Sequence, residues 1–176
     1  MISACTEPQA HVWQKGKYMA TQNDGRNDFD FLIGTWKVHH RMLKARLKGF
    51  TDWIEFEGET VDRKIMNGVG NMDENIIHME NGPIHAISLR LFNPASREWS
   101  IFWSTDKTGA MDIPMIGGFK DGRGEFYAQE VNDGRHVYSR FIWSKINTNS
   151  PQWEQALSED GGKTWETNWI MEFKRA

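Results

Sequence analysis

One cysteine, Cys5, stands in the whole 176-residue chain, so no internal disulfide can form and no Cys/His metal-binding spacing exists. A reducing compartment suits such a chain, and the expected location is cytoplasmic. Long apolar runs are absent too: nothing approaches the ~20 residues that a membrane-crossing helix needs. Residues 1–18 lack the apolar centre of a secretory leader, and no membrane partner is expected. Neither sign of charge dominates. With a formal net charge of -3, a pI near 6.1 and no Lys/Arg run, the chain offers no cationic field to a phosphate backbone, which excludes nucleic acid. Gly-x-Ser-x-Gly, phosphate-loop and dinucleotide fingerprints are all missing. Helical periodicity is missing as well.

What the chain has in quantity is indole and phenyl surface: 9 Trp and 10 Phe, against a mean hydropathy of only -0.65. Strands favour such rings, so the expectation is a β-rich core walled by aromatics. Residues 1–27 show no sustained periodicity and read as a flexible amino-terminal tail; residues 28–176 read as one barrel domain. Turn residues recur about every ten positions between short alternating runs, which predicts an all-β sandwich or barrel.

The first run, Thr35 to Leu43, sets Trp36, Val38, His40 and Met42 on one face. In the next, Ile54, Phe56, Gly58 and Thr60 face inward, while Glu55, Glu57 and Glu59 share a solvated face. Leu43 to Thr51 is read as a bent connection or a short helical lid, and Met66 to Asn81 as a weakly patterned strand. Ile84 to Phe92 and Trp99 to Ser104 form a hairpin that is expected to put His85, Ile87, Leu89 and Leu91 on the inner face with Trp99, Ile101 and Trp103. Thr105 to Gly118 reads as a long loop over a barrel mouth. Asp133-Gly134 is the favoured centre of a type I′ turn, which predicts Ala128 opposite Ser139 and Phe126 opposite Phe141. The closing run alternates Trp165, Thr167, Trp169, Met171 and Phe173 on the inner face. Roughly eight to ten strands in all suit a single closed antiparallel β-barrel, closure being one way to remove sheet edges.

Phe31-Leu32-Ile33-Gly34-Thr35-Trp36 resembles the Gly-x-Trp signature of lipocalins and related calycin barrels. The resemblance implies that Trp36 plugs the closed end and that a basic residue of the last strand, here Arg175, packs across it. Asp28 to Arg175 also resembles a bacterial barrel family known as a domain of unknown function. That likeness rests on Phe29-Asp30-Phe31-Leu32-Ile33-Gly34-Thr35-Trp36, Leu89-Arg90-Leu91-Phe92, Asp121-Gly122-Arg123-Gly124-Glu125-Phe126, Arg140-Phe141-Ile142-Trp143-Ser144, Trp153-Glu154-Gln155 and Trp165-Glu166-Thr167-Asn168-Trp169. It implies a barrel and no particular activity. Ser158-x-Asp160-x-Gly162-x-Thr164-Trp165 matches the Asp-box of sialidase propellers. A single box on so short a chain predicts a structural hairpin, with Trp165 anchored in the core.

The parities above collect the expected ligand-binding residues: Trp36, His40, His85, Trp103, Ser139, Trp143, Gln155, Thr167 and Trp169. Sparse polar groups among aromatics are what small-molecule pockets look like. The expected partner is therefore one small apolar or aromatic ligand inside a Trp-lined barrel, with access gated by Thr105 to Gly118. The alternative is an isomerase, cyclase or hydratase using His40 or His85 as acid or base. His39 and His40 are adjacent and face opposite ways, so they cannot chelate one metal together. No cofactor is expected. Calycin-type haem proteins such as nitrobindin use an axial His, but here no His follows His136, which leaves haem a minority alternative. A homodimer is compatible with the sequence.

Overall fold

The structure, a computed structural model, describes residues 24–176. Cys5 and the expected tail up to residue 23 lie outside the described residues. Residues 24–27 lie against the barrel, where Trp99 Nε1 donates to the Gly25 carbonyl at 2.9 Å.

Ten strands follow one another among the described residues: β1 (Gly34–Leu43), β2 (Trp53–Ile65), β3 (Gly70–Met79), β4 (Gly82–Asn93), β5 (Glu98–Thr105), β6 (Met115–Lys120), β7 (Arg123–Asn132), β8 (Arg135–Ser144), β9 (Gln152–Ser158) and β10 (Glu166–Arg175). Each pairs antiparallel with its chain neighbours, and β10 returns to pair with β1, so the sheet closes into one barrel. The fold is all-β; among the described residues the only helical pieces are 3-10 turns at Asp30–Leu32 and Met66–Gly68. No helix among the described residues is long and apolar enough to cross a membrane.

The first 3-10 turn plugs one end of the barrel. Leu32 is fully buried and its carbonyl accepts from Trp36 Nε1 at 2.6 Å. Arg175 lies 3.7 Å above the Trp36 ring and donates to the Ile33 and Phe31 carbonyls at 2.6 and 2.9 Å, closing that end as its strand parity requires. Phe29 fills the centre, edge-on to Trp99 and Phe119 at 5.0 and 4.8 Å. At the other end, the Asp133-Gly134 turn has both residues at positive φ, 48° and 78°. It sets Ala128 opposite Ser139 and Phe126 opposite Phe141, as the turn chemistry demands. In the β9–β10 hairpin, Asp160 accepts from the Ser158 hydroxyl and from the Lys163 and Thr164 amides, which accounts for the Asp-box as local turn structure.

Several expected parities are corrected. In β4 the inner face carries Ala86, Ser88, Arg90 and Phe92, while His85, Ile87, Leu89 and Leu91 point outward. The cause is a one-residue offset in the β4–β5 register: Trp103 faces Ser88, and Ile101 faces Arg90. Such an offset turns every side chain of a strand over. In β10 a bulge between Thr167 and Trp169 keeps Trp169, Met171 and Phe173 inside but puts Thr167 opposite outward-facing Ala156. Trp165 consequently packs on the outer face, 4.3 Å from the Arg140 guanidinium, and not in the core. Thr105 to Gly118 is not all loop. Its last residues form β6, where Gly117 sits so close to β7 that any side chain would run into the Glu125 carbonyl. The β1–β2 connection is a bent loop without helix.

Candidate binding site

Between the plugged end and the open mouth lies a cavity of about 230 Å³. One arc of its wall is aromatic: Trp103 from β5, Phe141 and Trp143 from β8, Trp153 from β9 and Trp169 from β10. These rings brace one another edge-on, with Trp153 and Trp103 at 5.6 and 6.4 Å from Trp169 and interplanar angles of 88° and 89°. The Trp143 Nε1 is buried and has no protein partner, so its donor is not used within the fold. Ile101, Met115 and Met171 complete the apolar lining, and Ser139 and Gln155 add two buried polar side chains.

The opposite arc is polar. Strand β4 turns Ser88 and Arg90 inward, and Arg90 meets carboxylates from the two preceding strands. Its Nη1 donates to Asp62 Oδ2 and Asn71 Oδ1, each at 3.0 Å, and its Nη2 donates to Asp73 Oδ2 at 2.6 Å. Asp73 Oδ1 accepts from the Ser88 amide at 2.8 Å and from Asn75 Nδ2, whose own carbonyl accepts from the Thr60 hydroxyl at 2.6 Å. The charged members are sealed in: the side chains of Arg90, Asp62 and Asp73 are 5%, 0% and 2% exposed. Two carboxylates on one guanidinium leave an excess of negative charge in a poorly solvated place. Burial accordingly pushes Asp62 up to about 7, against the pull of Arg90 and with a push from Asp73. Asp62 Oδ1 and Arg90 Nε are buried without protein partners.

The mouth is dressed by Arg46 from the β1–β2 loop, Asp112 and Ile113 from the β5–β6 loop, and Glu130 from β7. The β1–β2 loop is tied across the opening by the Leu47 amide, which donates to Glu166 at 2.7 Å, and by the Lys48–Asp133 ion pair at 2.9 Å. The Asp112 amide holds the other loop to the Trp103 carbonyl at 2.8 Å.

Of the residues singled out by sequence, Trp103, Ser139, Trp143, Gln155 and Trp169 come together on this cavity. Trp36 is in the plugged end under Arg175, and Thr167 is outside because of the bulge. His85 is exposed on the outer face, which removes it as an interior acid, base or ligand contact. His40 does point inward but stands behind the lining. Its Nδ1 accepts from Trp169 Nε1 at 3.2 Å, its ring stacks on Phe56 at 4.9 Å, and its Nε2 fills space that Gly58 leaves by having no Cβ. Burial, helped by neighbouring His39, drives His40 down to about 4, so it is a neutral hydrogen-bond acceptor at pH 7.

The one inward histidine among the described residues is engaged by Trp169 and does not line the cavity. No cluster of three His, Cys, Asp or Glu suited to a metal occurs among the described residues.

Sequence reasoning missed Arg90, Asp62, Asp73, Arg46, Asp112 and Glu130. One signal was available for Asp62: it continues the parity of Phe56, Gly58 and Thr60, and an inward Asp requires a buried cation.

No protein-family model and no curated protein matches the chain. A solved structure does: "Crystal Structure of Rv2717c from M. tuberculosis", with a TM-score of 0.59, 10% sequence identity, and coverage of 86% of this chain and 97% of that one. The likeness is one of fold. It aligns nearly the whole mycobacterial chain with this barrel and assigns no ligand or activity to it.

Proposed function

We propose that this lipocalin-like barrel is a binding protein for one small, planar, largely apolar molecule, held with its rings against the indole arc and a polar edge toward Ser88, Ser139 and Gln155. The observation that carries the reading is the shape of the interior. A cavity of about 230 Å³ is lined by five aromatic rings and a few buried polar side chains, Ser139 and Gln155 beside the rings on β8 and β9 and Ser88 and Arg90 on β4. Pockets for drug-sized ligands run to roughly 300–1,000 Å³, so the guest is smaller, of one or two fused rings.

Of the two histidines considered for acid–base chemistry, His85 is outside and His40 is committed to Trp169, which favours binding over that alternative. Titration of intrinsic tryptophan fluorescence with a panel of mono- and bicyclic aromatic compounds tests the binding reading. A saturable change with at least one compound is expected, accompanied by stabilisation against heat of ~3 kcal/mol at a hundredfold excess over Kd. A panel that moves neither the indole emission nor the melting temperature at millimolar concentration overturns it.

A further inference from the structure

Two guanidinium groups line the cavity, and they differ in what they hold. Arg90, at the floor, has both terminal nitrogens engaged by Asp62, Asn71 and Asp73. Arg46, at the mouth, makes one hydrogen bond, from Nη2 to the Met42 thioether at 3.8 Å, and no ion pair among the described residues. A thioether is a weak acceptor, and a guanidinium carries five N–H donors. The carboxylates nearby do not satisfy it. Glu166 accepts from the Leu47 amide, while Glu130 lines the cavity without forming an ion pair. The Arg46 side chain is half-buried, and burial lowers its pKa despite the opposing pull of Glu130 and Glu166. A half-buried guanidinium with one weak protein acceptor keeps donors free for an anion that enters the mouth.

We propose that the guest is a small aromatic acid, its ring against the Trp103–Trp169 corner and its carboxylate taken by Arg46 at the barrel mouth. This rests on the binding reading above and adds a charge to it. Arg90 is not a second anchor, because its fork is already shared by two carboxylates and a further anion at the floor meets them. The backbone just after Arg46 is held over the opening by the Leu47–Glu166 and Lys48–Asp133 contacts, so less of the loop is left to be ordered on binding. The planar fork matches a carboxylate in two parallel hydrogen bonds.

Calorimetric titration of the full chain at pH 7 with indole-3-carboxylate and with indole-3-carboxamide, equal in shape and different in charge, tests the anchor. The carboxylate is expected to bind about tenfold or more tightly than the carboxamide, the scale of one charge-assisted hydrogen-bonded pair. Arg46→Gln should abolish that ratio and leave carboxamide affinity in place, whereas Arg46→Lys should retain part of it. Glu130→Gln removes a competing carboxylate and should tighten the carboxylate alone. Equal affinity for the two probes, or a ratio that survives Arg46→Gln, overturns the anchor while leaving the binding reading intact. Binding of neither probe, together with a silent fluorescence panel, overturns both.

Discussion

Trp103, Trp153 and Trp169 stand on one arc of the barrel, contributed by β5, β9 and β10; Asp62, Asp73 and Arg90 stand on the other, contributed by β2, β3 and β4. The two arcs are held by different physics. Ring against ring, the aromatic arc gains from buried area and from edge-to-face contacts, each modest and separately replaceable. The polar arc gains from pairing. Each carboxylate there is acceptable only because a guanidinium or an amide answers it, and removing one member exposes the desolvation of the rest. The difference teaches that the aromatic side can be remodelled by degrees, whereas the polar side stands or falls as a unit.

The most severe way to break the comparison is Arg90→Met. It leaves Asp62 and Asp73 facing each other in a sealed wall, and the expected cost is ~3–5 kcal/mol in denaturant unfolding at pH 7. Adding Asp62→Leu and Asp73→Leu to it should recover most of that loss, since an apolar wall no longer contains an unanswered charge. A single mutant within 1 kcal/mol of the parent would show that the network does not hold this arc.

Two buried titrating groups sharpen the contrast next. His40, stacked against the aromatic side, has its pKa brought from 6.5 to about 4, so between these values the unfolded chain holds a proton the folded one does not. Stability therefore rises with pH across that window. Asp62, on the polar side, is raised from 3.8 to about 7, so here the folded chain holds the extra proton and stability falls as pH rises through the same range. Each effect is on the order of 3 kcal/mol, and they oppose, leaving the parent's stability nearly level from about pH 4 to 6.5. Asp62→Asn should expose the rising slope and His40→Gln the falling one. Parallel profiles in both variants and the parent would show that neither group titrates as its surroundings demand.

Legibility in the sequence followed the same division. The aromatic arc could be read because Trp and Phe recur at period two and because Asp133-Gly134 fixes the β7–β8 register without reference to anything distant. The plugged end could be read from Gly34-Thr35-Trp36 and the terminal Arg175. The polar arc could not. Ile87-Ser88-Leu89-Arg90-Leu91 alternates cleanly, and hydrophobic pattern alone puts its apolar set inside. It is the carboxylates of β2 and β3, distant in sequence, that draw Ser88 and Arg90 inward. Thr167 was misplaced for a local reason, a bulge that period-two counting cannot register. Arg46 and Asp112 come from loops, where there is no parity to follow.

Trp153→Phe tests how gradual the aromatic arc is. Phe141 packs on Trp153 at 4.7 Å and Trp169 packs edge-on at 5.6 Å, contacts that a smaller ring largely keeps. The expected cost is about 1–2 kcal/mol, well below that of Arg90→Met, because the lost volume joins an existing cavity and opens no sealed void. The enlarged cavity should also accept a bulkier bicyclic probe than the parent does. A loss as large as that of Arg90→Met would erase the distinction between the arcs.

The smallest expected effect concerns the outer surface, where the barrel uses an indole without enclosing it. Trp165 lies 4.3 Å from the Arg140 guanidinium and 6.1 Å from Tyr127, and its Nε1 donates to the Gly162 carbonyl at 3.0 Å. A partly exposed cation–π contact contributes ~0.5–1 kcal/mol, and the Asp160 turn is held by its own amide hydrogen bonds whether or not the indole is present. Trp165→Leu should therefore cost no more than about 1 kcal/mol and leave probe affinity unchanged. The same substitution at Trp169 should weaken probe binding and remove the donor to His40 Nδ1. If Trp165→Leu reduced affinity as much as Trp169→Leu, the guest would be bound outside the barrel, and the inner surface would have to be assigned to packing alone.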